Sequence, residues 1–251
     1  MIDRGALQWG ADGARGVVVL CRPRKRNALG REVLQGLAEA AAWFDGRPEV
    51  RVIVLQGEGP SFCGGADIED FAALLSGGDL HESGRQIAAV GRAAIDAIRG
   101  LSAVTVASVH GHAIGGGLLL MAACDLRVAA DDLVMSLPEV DLGIPLTWGG
   151  LALLQAEVGV GRTRDLVMTG RRWTAEEAHA AGFVHRCVPA DDRQRVTEAL
   201  VQGLLEKPAL PLSMTKTQLR GPVDEGELLG RALADPGFMT AATAYLMKAR
   251  R

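Results

Sequence analysis

Two glycine-rich loops, each set directly after a short apolar run, constrain this chain more than any other feature. The first, Gly57-Glu58-Gly59-Pro60-Ser61-Phe62-Cys63-Gly64-Gly65-Ala66-Asp67, follows Arg51–Gln56, and the second, His110-Gly111-His112-Ala113-Ile114-Gly115-Gly116-Gly117, follows Val104–Val109. Glycine admits positive φ and lets another group come close to the main chain. Glycine is 32 of the 251 residues, about 13% where ~7% is usual, and no triplet repeat accounts for the excess. Neither loop fits a nucleotide template, because the first lacks the Lys-Ser/Thr of a P-loop and the second lacks GxGxxG spacing. What remains is exposed backbone N–H groups near a helix start, where a ligand oxygen can approach. Two such loops together can build an oxyanion hole. Taken singly, each is equally well explained as a tight turn.

The surrounding pattern is α/β. Gly16–Cys21, Arg51–Gln56 and Val104–Val109 read as buried strands, Asp125–Ala129, Leu133–Leu137 and Phe183–Val188 as shorter ones. Arg31–Asp45 and Arg85–Arg99 carry apolar residues at helical spacing, so the first makes a strand, helix, strand unit with its neighbours. Beyond Trp148 the pattern turns helical: Leu151–Val158, Arg164–Thr169, Ala175–Ala181, Val196–Leu205, then segments after Pro211, Asp224 and Pro236. The expected division is an α/β core over residues 1–195 and a helical region over 196–251.

Charge and cysteine usage narrow the class. Lys and Arg total 27 against 30 Asp and Glu, a formal charge of −3, which argues against nucleic acid as a partner. The longest apolar stretch, Ala113–Cys124, is about half the ~20 residues of a membrane span, and the N-terminus shows no basic-then-apolar leader pattern. Cys21, Cys63, Cys124 and Cys187 form no CxxC pair, which fits reduced thiols in the cytoplasm rather than a disulfide framework or a zinc site. His110 and His112 lack the acidic or cysteine company a metal needs, so no metal is expected.

Three motifs in register carry a family resemblance: Ser61-Phe62-Cys63-Gly64-Gly65-Ala66-Asp67-Ile68, then Gly111–Gly117 with Cys124-Asp125, then Pro138-Glu139-Val140-Asp141-Leu142-Gly143. Together they resemble the crotonase family of enoyl-CoA hydratases and isomerases. The resemblance implies a crotonase-like fold, a spiral of ββα repeats with a helical C-terminal region. It also implies an acyl-CoA thioester substrate whose carbonyl oxygen lies between the N–H groups of Ala66 and Gly116. Coenzyme A is then part of the substrate, with no separate cofactor. The same resemblance assigns Gly64, Asp67, Ile68, Gly115, Leu119 and Trp148 to the substrate site, although Asp67 reads equally as a helix cap and Trp148 as packing at a helix start. Arg24 and Arg26, within Arg22-Pro23-Arg24-Lys25-Arg26, are assigned to the CoA phosphates, and Lys216 to a CoA contact made from a neighbouring subunit. The family's assembly implies a homo-oligomer, a trimer or a dimer of trimers.

The carboxylates decide which reaction the resemblance implies. Family hydratases use two glutamates, and the second is present as Glu139, while Leu119 stands at the position of the first. One carboxylate with an oxyanion hole is similar to the Δ3,Δ2-enoyl-CoA isomerases of the family. Burial among Leu137, Val140 and Leu142 is expected to raise the Glu139 pKa, as suits a base. Two alternatives stay open: a hydratase that recruits Asp141, on the same face as Glu139 if the chain is extended there, and a non-catalytic acyl-CoA-binding protein.

Overall fold

The computed structural model describes residues 1–75 and 78–249. Seven strands form the main sheet among them: β1 (Ile2–Asp3), β2 (Leu7–Asp12), β3 (Arg15–Leu20), β4 (Val52–Gly57), β5 (Val104–Val109), β7 (Leu126–Ala130) and β10 (Arg186–Val188), in spatial order β1-β2-β3-β4-β5-β7-β10. The β1 and β2 pairings are antiparallel, and from β3 onward every neighbour is parallel. A small second sheet joins β6 (His112–Ile114), β8 (Val134–Ser136) and β9 (Trp173–Thr174).

Side chains on β4 show why the central strands read as unbroken apolar runs. Ile53 and Leu55 point into the main core with Val18, Leu20 and Val109, while Val52 and Val54 point to the opposite face with Val106, Val128 and Val201. A parallel strand covered on both faces has no polar side to display. The helices α1 (Arg31–Asp45) and α3 (Leu80–Gly100) pack together on one side, and α7 (Arg193–Leu205) contributes Val201 to the other. The division expected at 195/196 thus falls inside a helix that closes the sheet.

The chain advances as a spiral. β5 leads to β6 and then α4 (Gly116–Ala122), and β7 leads to β8 and then α5 (Gly150–Thr169). Two earlier turns have the same plan with single bridging residues in place of β6: β3, Leu29, α1, and β4, Cys63 and Ala66, α2 (Ile68–Leu75), with bridges Leu29↔Ala66 and Cys63↔Ala113. Successive turns stack, so the junctions between the short second strand and the helix lie side by side. Ala66, Gly115-Gly116 and Glu139 all occupy such junctions.

Several expectations shift. The two helices expected over 151–158 and 164–169 are both present within α5, joined across a kink at Gly159, whose φ of 77° is outside helical space, and the second begins earlier than expected. β2, β6 and β9 were not foreseen. The remaining helices are α6 (Ala175–Ala180), α8 (Ala209–Arg220), α9 (Glu225–Ala234) and α10 (Phe238–Ala249). No helix among the described residues is long and apolar enough to cross a membrane.

Candidate active site

Main-chain hydrogen bonds stitch the two glycine loops together. Phe62 N–H donates to His110 O at 2.9 Å, Cys63 N–H to His112 O at 2.9 Å, and Ile114 N–H to Cys63 O at 3.0 Å. Only glycine fits at the closest approaches: a Cβ on Gly117 would lie 2.6 Å from Cys63 O, and one on Gly65, at φ 94°, would lie 2.8 Å from Ile114 O. Asn27, buried and absent from the sequence-based site, braces the first loop by donating from Nδ2 to Glu58 O (2.9 Å) and Ser61 O (2.8 Å).

These contacts leave two amides unused. At the Leu29↔Ala66 bridge the hydrogen bonds come from Leu29 N–H to Gly65 O and from Asp67 N–H to Leu29 O, so the Ala66 N–H takes no part. Gly116 is the first residue of α4, where a helical N–H has no intrahelical acceptor. Neither N–H meets an acceptor among the described residues. The positive end of the α4 dipole adds to the attraction for an anion at Gly116.

Glu139 faces the same place. Its Oε1 lies where a Cβ on Gly115 would be 2.8 Å away, and its Oε2 is buried with no hydrogen-bond partner among the described residues. Loss of solvation raises the Glu139 pKa above the ordinary carboxylate range, opposed only by a bond from its own backbone N–H. Its burial does not come from Val140 and Leu142, which are 41% and 63% exposed. The segment is a turn, not an extended strand, with Leu142 N–H bonded to Pro138 O and Ile144 N–H to Glu139 O. Residues two apart in a helical turn diverge, and Asp141 accordingly packs over Gly170, where a Cβ would be 2.7 Å from its Oδ2. Asp141 therefore does not share the face of Glu139.

Leu119 is 1% exposed and packs on Gly150 and beside Leu146, in the main core. Trp148 is 8% exposed and holds a left-handed φ of 54°, rare for a bulky residue and worth about 1–3 kcal/mol of strain. Its indole lies between α3 and α4: a Cβ on Gly91 would be 2.0 Å from Cε2, and one on Gly116 would be 2.2 Å from Cζ3. Gly91 was legible only as a helix residue. A glycine on the apolar stripe of a helix, at about 1 kcal/mol cost relative to alanine, was the available signal.

At the other end of the loops sit the cations. Arg22 Nη1 pairs with Asp67 Oδ2 at 2.7 Å, and Lys25 pairs with Glu69. Arg24 and Arg26 are exposed and have no acidic partner among the described residues. Arg26 lies against Gly64, whose Cβ would be 3.1 Å from Arg26 Cβ. Asp67 caps α2 through Glu69 N–H (3.0 Å), and although burial opposes its charge, Arg22, that cap bond and Lys25 hold its carboxyl below the usual range. Its oxygens are occupied, so it acts as a brace. Ile68 begins α2 and is 81% exposed. His112 Nδ1 bonds to Ser61 Oγ at 3.0 Å, and no metal-ligating cluster occurs among the described residues.

Lys216 is a correction. It is 6% exposed, its Nζ bonded to Asp125 Oδ2 at 2.6 Å and Ala103 O at 2.7 Å, so it ties α8 to the sheet and is closed to CoA. Gly77 lies outside the described residues, and the chain after it enters α3 at Leu80, capped by Asp79.

Comparison with known proteins agrees with this architecture. A family model for enoyl-CoA hydratase/isomerase matches residues 13–239. A Mycobacterium tuberculosis protein named a probable enoyl-CoA hydratase is 32% identical over 90% of this chain and 86% of its own length. The peroxisomal Δ(3,5)-Δ(2,4)-dienoyl-CoA isomerase of Arabidopsis thaliana is 31% identical over 80% of this chain and 76% of its own. Among solved structures, an enoyl-CoA hydratase/carnitine racemase from Magnetospirillum magneticum superposes with a TM-score of 0.89 at 28% identity, covering 99% of this chain and 94% of that one. With its crotonase fold and stitched glycine loops, the chain belongs to the enoyl-CoA hydratase/isomerase family.

Proposed function

We propose that the protein is an enoyl-CoA isomerase that converts a 3-enoyl-CoA to the conjugated 2-enoyl-CoA. The observation that carries this reading is Glu139, whose Oε1 lies against Gly115, next to the unused amide of Gly116, and whose Oε2 is buried with no partner among the described residues. The thioester carbonyl accepts hydrogen bonds from Ala66 and Gly116. Glu139 removes a proton from C2, the electrons pass into a dienolate whose oxyanion those N–H groups hold, and the carboxylic acid returns the proton to C4 as the double bond settles between C2 and C3. Composition is unchanged, so no water or second acid takes part. Arg24 and Arg26, without acidic partners, supply charge for the CoA phosphates.

Hydration would need a second group to hold and split water. Leu119 lies in the core and Asp141 faces Gly170, which favours isomerisation although some relatives are named hydratases. Purified protein mixed with a 3-enoyl-CoA should produce the conjugated thioester, and Glu139→Gln should lower kcat by about 10²–10⁴-fold. No conversion at any of several chain lengths would overturn the assignment; water addition to a 2-enoyl-CoA, lost in Asp141→Asn, would support the hydratase. Assembly into a trimer or a dimer of trimers is part of the proposal, supported by exposed Leu229, Leu233, Met239, Tyr245, Leu246 and Met247 on α9 and α10. Sedimentation would report it.

A further inference from the structure

We infer that Trp148 sets an upper limit on acyl length, making the substrates short-chain thioesters. This rests on the isomerase reading of the site and adds the substrate class. Each loop glycine has a close neighbour: Arg26 lies against Gly64, Ile114 O against Gly65, Glu139 against Gly115, and the indole of Trp148 against Gly116. A thioester with its phosphates at Arg24 and Arg26 and its carbonyl at Ala66 and Gly116 directs its acyl carbons away from the cations and toward Trp148. The wall thus stands against the donor residue Gly116 itself.

The ring cannot step aside easily. Gly91 of α3 closes on one part of the indole and Gly116 of α4 on another, at spacings no side chain at either glycine would permit. The ring is 8% exposed, and its backbone is fixed in a left-handed conformation just before α5. A wall pinned on both sides excludes by shape, where a flexible Leu or Met would yield.

The test compares 3-hexenoyl-CoA with 3-dodecenoyl-CoA for wild type, Trp148→Ala and Trp148→Phe. The wild type should favour the six-carbon substrate in kcat/KM by about tenfold or more, and Trp148→Ala should move that ratio by about tenfold or more toward the longer chain, with Trp148→Phe between. A purely structural tryptophan would lower both rates together and leave the ratio unchanged. Should the variants fail to fold, inhibition of wild type by saturated butanoyl-, hexanoyl- and dodecanoyl-CoA asks the same question without substitution. Weakening beyond six carbons supports the limit. Equal or tighter inhibition by dodecanoyl-CoA, or an unmoved ratio, overturns it while leaving the isomerase reading intact. Failure of all thioesters to bind overturns both.

Discussion

Gly84→Ala and Gly91→Ala make a matched pair within α3. In both, alanine removes the helix-propensity cost of glycine, about 1 kcal/mol. At Gly84 a Cβ meets nothing within 4 Å, so the variant should be stabilised by about that amount. At Gly91 the new Cβ would lie 2.0 Å from Trp148 Cε2 and 2.1 Å from Nε1. Contact between such atoms is comfortable at about 3.5 Å, so the indole must retreat by more than an ångström, and Gly116 blocks the other side. Overpacking of this kind costs about 1–3 kcal/mol, and the pinned ring argues for the upper end. After the propensity gain, Gly91→Ala should lose about 2 kcal/mol, leaving the pair about 3 kcal/mol apart. For a chain of this size that is about 6–12 °C in Tm. Thermal unfolding followed by circular dichroism measures it directly. If Gly91→Ala matches or exceeds Gly84→Ala, the indole is not wedged, and the argument for a rigid wall beside Gly116 fails with it.

Four further outcomes follow from the structure. Deprotonated Glu139 is the base and burial raises its pKa, so kcat/KM should fall as pH drops through a value above the ordinary glutamate range; an acid limb at the ordinary value would refute the buried base. The same shift has a stability sign: with the folded pKa above the unfolded one, the stabilising contribution is full below the unfolded pKa and gone once pH passes the folded pKa, so the Tm of Glu139→Gln relative to wild type should climb across that window. Replacing Arg24 and Arg26 together by alanine should raise KM for CoA thioesters at least about tenfold, an effect that shrinks between 0.1 M and 1 M salt as the Debye length falls from about 10 Å to about 3 Å; a salt-independent KM would show that neither meets a phosphate. Lys216→Met should cost about 1–3 kcal/mol, because it removes the countercharge of Asp125 and the donor to Ala103 O while Thr105 still bonds the partly exposed carboxylate, with KM unchanged. A raised KM at unchanged stability would restore Lys216 to the CoA site.

Local pattern carried the large elements and failed where the deciding partner is remote. The stripe from Val33 to Phe44 fixes α1 at Arg31–Asp45, and the β-branched run Val104–Val109 coincides with β5, because burial there repeats with the period of the element. β2 went unseen: Leu7-Gln8-Trp9-Gly10 has a strand's alternation, but its length and glycine make it a strand only through pairing with β3. Ala66, Gly116 and Glu139 are assigned by the family resemblance of their motifs, and the fold sets each of them at a junction of the spiral. The surroundings of Glu139 could not, since nothing local says that Pro138 opens a helical turn turning Asp141 away. Lys216 reads as a surface lysine until Asp125 and Ala103, the latter 113 positions earlier, close around it. Trp148 likewise takes its meaning from two glycines on helices far upstream.

The amides of Ala66 and Gly116, the oxyanion donors in the proposed reaction, are main-chain groups on loops held by main-chain hydrogen bonds, and this has an evolutionary consequence. Exchange of a side chain at position 119, 139 or 148 leaves the Ala66 and Gly116 N–H groups in place, so the anion-holding half of the site is insulated from point mutation while the proton-handling half is not. A fold built this way can change which bond it rearranges through very few substitutions, each passing through an intermediate that still binds its thioester. Its catalytic repertoire is therefore cheap to explore and its substrate class hard to lose.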